Sequence, residues 1–313
     1  MIAEQVQPLA SGGSDVPSRV IRLRMADGVR IAARMFGAPR PGRLPVLCLA
    51  GLSRNSCDFQ KLAEWLAIDC REPRLVVALD MRGRGCSDSD PDWRNYTPPV
   101  EAQDTLAAAA ALGIERAVVV GTSRGGILAM MIAAARPGLL AGVVLNDIGP
   151  VIEGTGLARI KGYLSATRRM ADLDEAAAAA KEAVGASFPG LTEGDWAAFA
   201  RAFYFAEPGT NGAGLVPAFD RNLLKAAQTI DLSQPIPEAW TLFAALGRIP
   251  VLTIRGEHSD ILSRKTLAAM ADRHPQFEQL TIPGQGHAPL LRDRPTLERI
   301  AAFVRRCEIP APE

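Results

Sequence analysis

Residues 117–135 constrain the fold more than any other stretch of this chain. The run Val118-Val119-Val120 leads directly into Gly121-Thr122-Ser123-Arg124-Gly125-Gly126, and a helical pattern continues to Ala135. A strand that turns this sharply into a helix brings two backbones close together. Glycine is therefore needed on each side of the serine, and the serine itself is expected in a strained conformation. Such a turn lifts the Ser123 hydroxyl above the edge of a sheet. It also aims the N–H of Arg124, in the first helical turn, at the place where an oxyanion would develop, and the helix N-terminus adds positive potential there. The five-residue pattern alone says little in a chain with 28 glycines. The strand before it and the helix after it supply the meaning.

Short apolar runs alternate with helical patterns around this turn. Residues 19–25 and 29–36 read as two strands joined by Ala26-Asp27-Gly28. Further strands are expected at 46–50, 75–79, 117–121, 141–146, 250–255 and 277–282, with helices at 59–68, 100–112, 125–135, 265–273 and 296–307. Continuous apolar strands separated by helices imply an α/β class: a mostly parallel, eight-stranded sheet with helices on both faces. Between about 150 and 235 the alternation stops, and the sequence is helical or irregular with no convincing strand. The expected organisation is a loose, flexible arm over 1–17, an α/β core from 18–149 and 236–313, and a helical insertion over 150–235.

Composition narrows the function classes. The 313 residues carry a formal net charge of +1, which gives no electrostatic reason to expect nucleic acid or an anionic membrane as partner. No run approaches the ~20 apolar residues of a membrane span, and the N-terminus lacks a basic segment followed by an apolar one. Cys48, Cys57, Cys70, Cys86 and Cys307 are scattered without metal-ligand spacing and read as reduced thiols of a cytoplasmic protein. No metal or cofactor is expected. A nucleotide-binding turn is the specific rival reading of Gly121-x-x-x-Gly125. The short-chain dehydrogenase fingerprint, however, needs a third glycine where Leu128 stands. It also needs a Tyr followed four residues on by Lys, whereas Tyr96, Tyr163 and Tyr204 are followed by Val100, Thr167 and Pro208.

A serine hydroxyl needs a base, and the chain has three histidines. His287 lies in the glycine-rich loop Pro283-Gly284-Gln285-Gly286-His287 after the last expected strand, where an imidazole can be aimed over the strand ends. His258, after the preceding strand, is the runner-up. His274, at a helix end before a proline, reads as a surface residue. The base needs an orienting carboxylate. Asp260 follows the strand next to the His287 loop and is the favoured candidate. Asp147, at the end of strand 141–146, competes with it, and Glu257 is weaker.

These features together resemble an α/β-hydrolase-fold enzyme over nearly the whole chain, from Arg19 to Cys307. The order Ser123, Asp260, His287 matches that family's serine–acid–histidine order. Leu49-Ala50-Gly51-Leu52 corresponds to its oxyanion loop, so the resemblance implies the N–H of Leu52 as second oxyanion donor beside that of Arg124. Asp80-Met81-Arg82-Gly83-Arg84-Gly85-Cys86-Ser87 resembles the family's Asp-x-Arg-Gly-x-Gly-x-Ser turn, read here as structural. The insertion falls where the family carries a lid. One departure is Ala50, where the family usually has histidine. A serine in the elbow argues against the branches that attack with aspartate.

The implied activity is hydrolysis of a carboxylic ester or lactone through an acyl-enzyme. C–C bond hydrolysis of a ring-cleavage product and non-hydrolytic ligand binding are the alternatives. The expected partner is a small to mid-sized, largely apolar, ester-like molecule. Trp196, Phe199 and Phe203, at helical spacing, and Trp240, near the return to the core, are the aromatic candidates for its walls or for packing within the insertion. Arg54 and Arg124 flank the site and could meet an acidic substrate, although a structural guanidinium is the simpler reading.

Overall fold

A computed structural model of the protein describes residues 4–6, 17–206, 214–229 and 231–309. The chain forms β1 (Glu4–Val6), β2 (Ser18–Arg24), β3 (Arg30–Phe36), β4 (Val46–Leu49), β5 (Val76–Asp80), β6 (Ala117–Thr122) and β7 (Leu140–Asn146). An insertion containing the short strands β8 (Tyr204–Ala206) and β9 (Leu215–Pro217) follows, and then β10 (Val251–Gly256) and β11 (Phe277–Ile282). The main sheet has the order β1-β2-β3-β5-β4-β6-β7-β10-β11. The pairs β1/β2, β2/β3 and β3/β5 are antiparallel, and all the others are parallel. The eight strands expected from the sequence are therefore present, and Glu4–Val6 adds a ninth at the antiparallel edge. That strand falls within the expected arm, whose residues 1–3 and 7–16 lie outside the described residues.

The strands are buried on both faces because their side chains alternate between two cores. Leu47, Leu49, Val119, Val143 and Leu145 face one core, which is closed by the helices Pro98–Ala111, Arg124–Ala135 and Arg264–Arg273. Val46, Cys48, Val118, Val120 and Val144 face the other, covered by residues 60–69 and the helix Arg294–Arg306. The helix expected over 59–68 is instead three short pieces: a 3-10 turn at Ser56–Phe59, an α-helical turn at Gln60–Glu64 and a π-helical turn at Trp65–Asp69.

The insertion is built from helices Gly154–Ser165, Leu173–Val184, Glu193–Phe203 and Asn222–Gln228. It also holds an antiparallel pair of three-residue strands, β8 and β9, where the sequence reads as helical or irregular. The strands are too short to register as an alternating pattern. Leu164, Met170, Ala200, Phe203, Phe219 and Leu223 pack with Tyr96 of the core into a separate apolar cluster. Polar ties fix the insertion over the sheet. Asn55 Nδ2 donates to the Ala202 carbonyl at 2.7 Å, Asp220 N–H to the Gly83 carbonyl at 2.7 Å, and Tyr96 Oη to Asp220 at 2.5 Å. No helix among the described residues is long and apolar enough to cross a membrane.

The parallel strands end together beneath the insertion, with Leu49 opposite Gly121 and Thr122 opposite Asn146. The crevice outside those carboxyl ends is where an α/β sheet binds its ligands. The packing at this edge leaves no room for side chains on two glycines. A Cβ on Gly125 would lie 2.0 Å from the Leu49 carbonyl oxygen, and one on Gly121 2.4 Å from the Gly125 oxygen. Gly125→Ala is expected to cost about 3 kcal/mol or more, because only backbone could yield. Gly138→Ala, in open space, should stay within about 0.5 kcal/mol of wild type. Urea unfolding of the two variants checks this.

Candidate active site

Ser123 stands between the end of β6 and the helix Arg124–Ala135 with φ 51° and ψ −115°. This left-handed geometry is unfavourable for a residue with a side chain and is maintained by its surroundings. The Ser123 N–H donates to the Asn146 carbonyl at 2.9 Å, and the Ser123 carbonyl accepts from Gly126 N–H at 2.9 Å. The backbone is thereby locked to the neighbouring strand on one side and to the helix on the other.

Ser123 Oγ lies 2.9 Å from His287 Nε2, and His287 Nδ1 lies 2.8 Å from Asp147 Oδ2. Asp147 is completely buried. It also accepts from Gly256 N–H at 2.8 Å and from Ser259 Oγ–H at 2.6 Å. With the carboxylate as acceptor, Nδ1 carries the proton and Nε2 is left to accept from the serine.

The acid facing His287 is thus Asp147, not Asp260. Strand order gives the reason. β7 lies directly beside β6, whereas β10 is one strand further out, and each step across a sheet is about 4.8 Å. Asp147 is the first residue past β7. Its left-handed backbone, φ 58°, turns the side chain toward the histidine while its N–H continues the ladder to the Ile254 carbonyl at 2.7 Å. Asp260 lies four residues beyond β10 and forms a two-pronged ion pair with Arg159 of the insertion, at 2.6 and 2.8 Å. Burial alone would raise the Asp260 pKa, but the Arg159 fork outweighs it and holds the carboxyl below its ordinary value. Glu257, the other acid considered, accepts from Gly284 N–H at 2.9 Å and so fastens the histidine loop.

Asn146 is a site residue that the sequence reading missed. Its Nδ2 donates to Thr122 Oγ1 at 3.1 Å and to the Pro289 carbonyl at 2.9 Å, joining the serine turn to the loop that carries His287. Its position immediately before Asp147 at a strand end was the available signal. Of the other histidines, His258 is half-exposed beside Glu257. His274 is not a surface residue. It is buried against Phe243 and Phe277, and that burial lowers its pKa.

The segments that carry the two expected oxyanion donors both adjoin the serine. A Cβ on Gly51 would come within 3.7 Å of Ser123 Cβ, so this loop lies against the nucleophile. The Gly51 carbonyl is turned away to accept from Arg54 N–H at 3.1 Å. Because the C=O and N–H of a trans peptide point in opposite directions, the Leu52 N–H faces the other way. This backbone turn closes without a histidine side chain at Ala50. The Leu52 carbonyl accepts from Arg84 Nε at 2.8 Å. Arg84 is paired with Glu101 at 2.8 Å, and Arg124 Nε donates to the same carboxylate at 2.6 Å. One buried glutamate therefore links the start of the Arg124 helix to the Gly51–Leu52 loop by way of Arg84. Burial would raise the Glu101 pKa, but the two guanidinium groups outweigh it and hold the carboxyl below its ordinary value. Arg84 comes from the glycine-rich turn after β5, which reads as structural in the sequence, and bracing is what it does here.

A cavity of about 120 Å³ opens over Ser123 and His287. Its apolar wall includes Ile160, Tyr163, Phe188 and Phe199, and its polar wall includes Arg54, Arg159 and Arg292. Of the aromatic candidates, Phe199 is the one that lines it. Trp196 packs beneath, edge-on to Phe188 and Phe199. Phe203 faces a neighbouring cavity of about 370 Å³, whose wall shares Tyr163, Val184 and Phe199 with the first. Trp240 lies away from both, under Arg273 and beside Phe243, with its indole N–H on Glu238.

The chain belongs to the alpha/beta hydrolase family, whose sequence profile matches residues 46–301. It is 31% identical over 272 residues to the 3-hydroxybutyrate-oligomer hydrolase of Cupriavidus necator, covering 84% of this chain and 89% of that one. A 2-(acetamidomethylene)succinate hydrolase from Mesorhizobium japonicum is 27% identical over 77% of this chain and 81% of its own. Among solved structures, an alpha/beta hydrolase from Novosphingobium aromaticivorans superposes with a TM-score of 0.85 at 37% identity, covering 94% of this chain and all of that one. The protein is therefore a hydrolase of the α/β-hydrolase fold.

Glu101→Ala would strand the buried Arg84 and deprive the part-buried Arg124 of its acid, and removal of one partner from a buried ion pair costs about 3–5 kcal/mol. The urea unfolding midpoint of this variant should fall accordingly, with Glu101→Gln intermediate.

Proposed function

We propose that this protein is a serine hydrolase that cleaves a carboxylic ester or lactone through an acyl-enzyme on Ser123. The observation that carries the reading is the hydrogen-bonded line Ser123–His287–Asp147, set beside the N–H groups of Leu52 and Arg124. Similarity to a 3-hydroxybutyrate-oligomer hydrolase supports an ester of a small acid as the substrate.

In this mechanism Asp147 holds His287 in the tautomer whose Nε2 can accept a proton. His287 takes the hydroxyl proton as Ser123 Oγ attacks the ester carbonyl. The tetrahedral oxyanion forms between the N–H groups of Leu52 and Arg124, at the positively polarised helix end. Collapse of the intermediate expels the alcohol, which leaves with the proton from His287. Water then gives a proton to His287 and attacks the acyl-enzyme. The acid is released, and the proton returns to Ser123. The balance is one ester and one water to one acid and one alcohol. The segment 150–235 acts as the lid that shields the acyl-enzyme. The five unpaired cysteines support a reducing, cytoplasmic setting.

Ser123→Ala should lower kcat for p-nitrophenyl butyrate by ~10³-fold or more, and Asp147→Asn should do so by a similar factor. Asp260→Asn should cost less than ~10-fold on this uncharged ester, since it acts only through Arg159. A fluorophosphonate probe should label Ser123 in the wild type, read by peptide mass spectrometry. Wild-type-like turnover by Ser123→Ala, or equal losses in the two aspartate variants, would remove the assigned roles.

A further inference from the structure

The wall of the cavity over Ser123 is more cationic than the sequence implied. Arg54, Arg159 and Arg292 line it, and Asp58 is the one acidic residue among its lining. The carboxylates of Asp260 and Asp195, which pair with Arg159 and Arg292, are not part of that lining. The Arg159 and Arg292 guanidinium groups are thus held by acids outside the lining, whereas Asp58, the partner of Arg54, lies within it.

The manner of pairing is specific. Arg54 presents Nε and Nη2 to Asp58, at 2.8 and 2.5 Å, and Arg159 presents the same edge to Asp260. In both, the protein satisfies one edge of the planar fork and leaves Nη1 over. Arg54 Nη1 and Arg292 Nε are buried without a hydrogen-bond partner among the described residues. The Arg54 plane is also stacked on Phe199, 4.3 Å from the ring centroid, and lies 5.2 Å from that of Phe203. A guanidinium clamped by an acid on one edge and by rings on its face is already ordered. It can accept an anion without losing further freedom. Desolvated donors left over in a substrate cavity are groups that a ligand can satisfy.

We propose that this cavity recognises an ester bearing a free carboxylate, bound by Arg54 and Arg159 with Arg292 at its rim. The proposal rests on Ser123 as nucleophile and deepens that reading. It replaces the largely apolar substrate expected from the sequence with an amphiphilic one, its carbon chain against Ile160 and Phe199 and its anionic end on the arginines. Hydroxy-acid oligomers and half-esters of dicarboxylic acids have this chemistry.

Two matched substrate pairs test it. The first compares mono-p-nitrophenyl adipate with its methyl ester, placing the charge on the acyl side. The second compares 4-carboxyphenyl butyrate with its methyl ester, placing the charge on the leaving side. In at least one pair the free acid should have a kcat/KM at least ~10-fold above that of the methyl ester at low ionic strength. Arg54→Gln and Arg159→Gln should each reduce that ratio at least fivefold. Equal or better turnover of the neutral ester in both pairs would overturn the proposal, and so would an undiminished ratio in both variants. Equilibrium binding separates this from the hydrolase reading. In calorimetric titration of the Ser123→Ala protein, monomethyl adipate should bind at least ~10-fold more tightly than dimethyl adipate, whether or not the wild type turns over either ester. Equal or weaker binding of the acid overturns the anion site. Absence of ester turnover together with absence of fluorophosphonate labelling overturns the hydrolase reading alone.

Discussion

Three backbones meet at the end of β6: that strand, the helix that leaves it, and β4 beside it. Their separation is smaller than a methyl group allows, and two glycines make it possible. The contact forces Ser123 into a left-handed conformation, and the rest of the site follows from that forced turn. The hydroxyl reaches the histidine, the helix starts directly after the serine, and the loop after β4 lies against Ser123 because β4 and β6 are neighbours in the sheet. Strain at one residue is sustained by the packing of two helical layers on a nine-stranded sheet.

Much of this was legible in the sequence. The apolar runs at 46–50, 117–121 and 141–146 could be read as strands because they are buried on both faces and carry no polar interruption. The serine turn and the histidine loop could be read because glycine is needed for close approach in the first and for a chain reversal in the second. What could not be read was lateral distance. Asp260 and Asp147 both follow strands, and choosing between them requires knowing that β7, not β10, adjoins β6. The insertion was opaque for a related reason. Its three-residue strands are below the length at which alternation registers, and its Arg159, like Arg292 of the core, lines the cavity only through tertiary placement. Nothing near Arg159 or Arg292 in the sequence marks them as cavity-lining.

Charge is distributed unevenly around the site. On one side, Glu101 is shared by Arg84 and Arg124, and Arg82 is joined to Asp27, Asp90 and Asp104. These pairs lie mostly in the interior, and through them the Leu52 loop and the start of the Arg124 helix are braced against each other. On the other side, Arg54 and Arg292 each keep a buried N–H without a partner among the described residues, and with Arg159 they line the cavity. The same side-chain type thus serves as internal bracing in one place and as a surface for ligands in the other.

The acid's place along the chain has a mechanical consequence. Serine and aspartate sit on adjacent strands joined by one helix, so their spacing is set before the insertion begins. Only the histidine arrives from beyond it, and Asn146 fastens that loop to the strand carrying the acid. The intervening segment of about a hundred residues is therefore a detour that starts and finishes at a closed frame. Its length and shape can change without moving the Ser123–His287–Asp147 line.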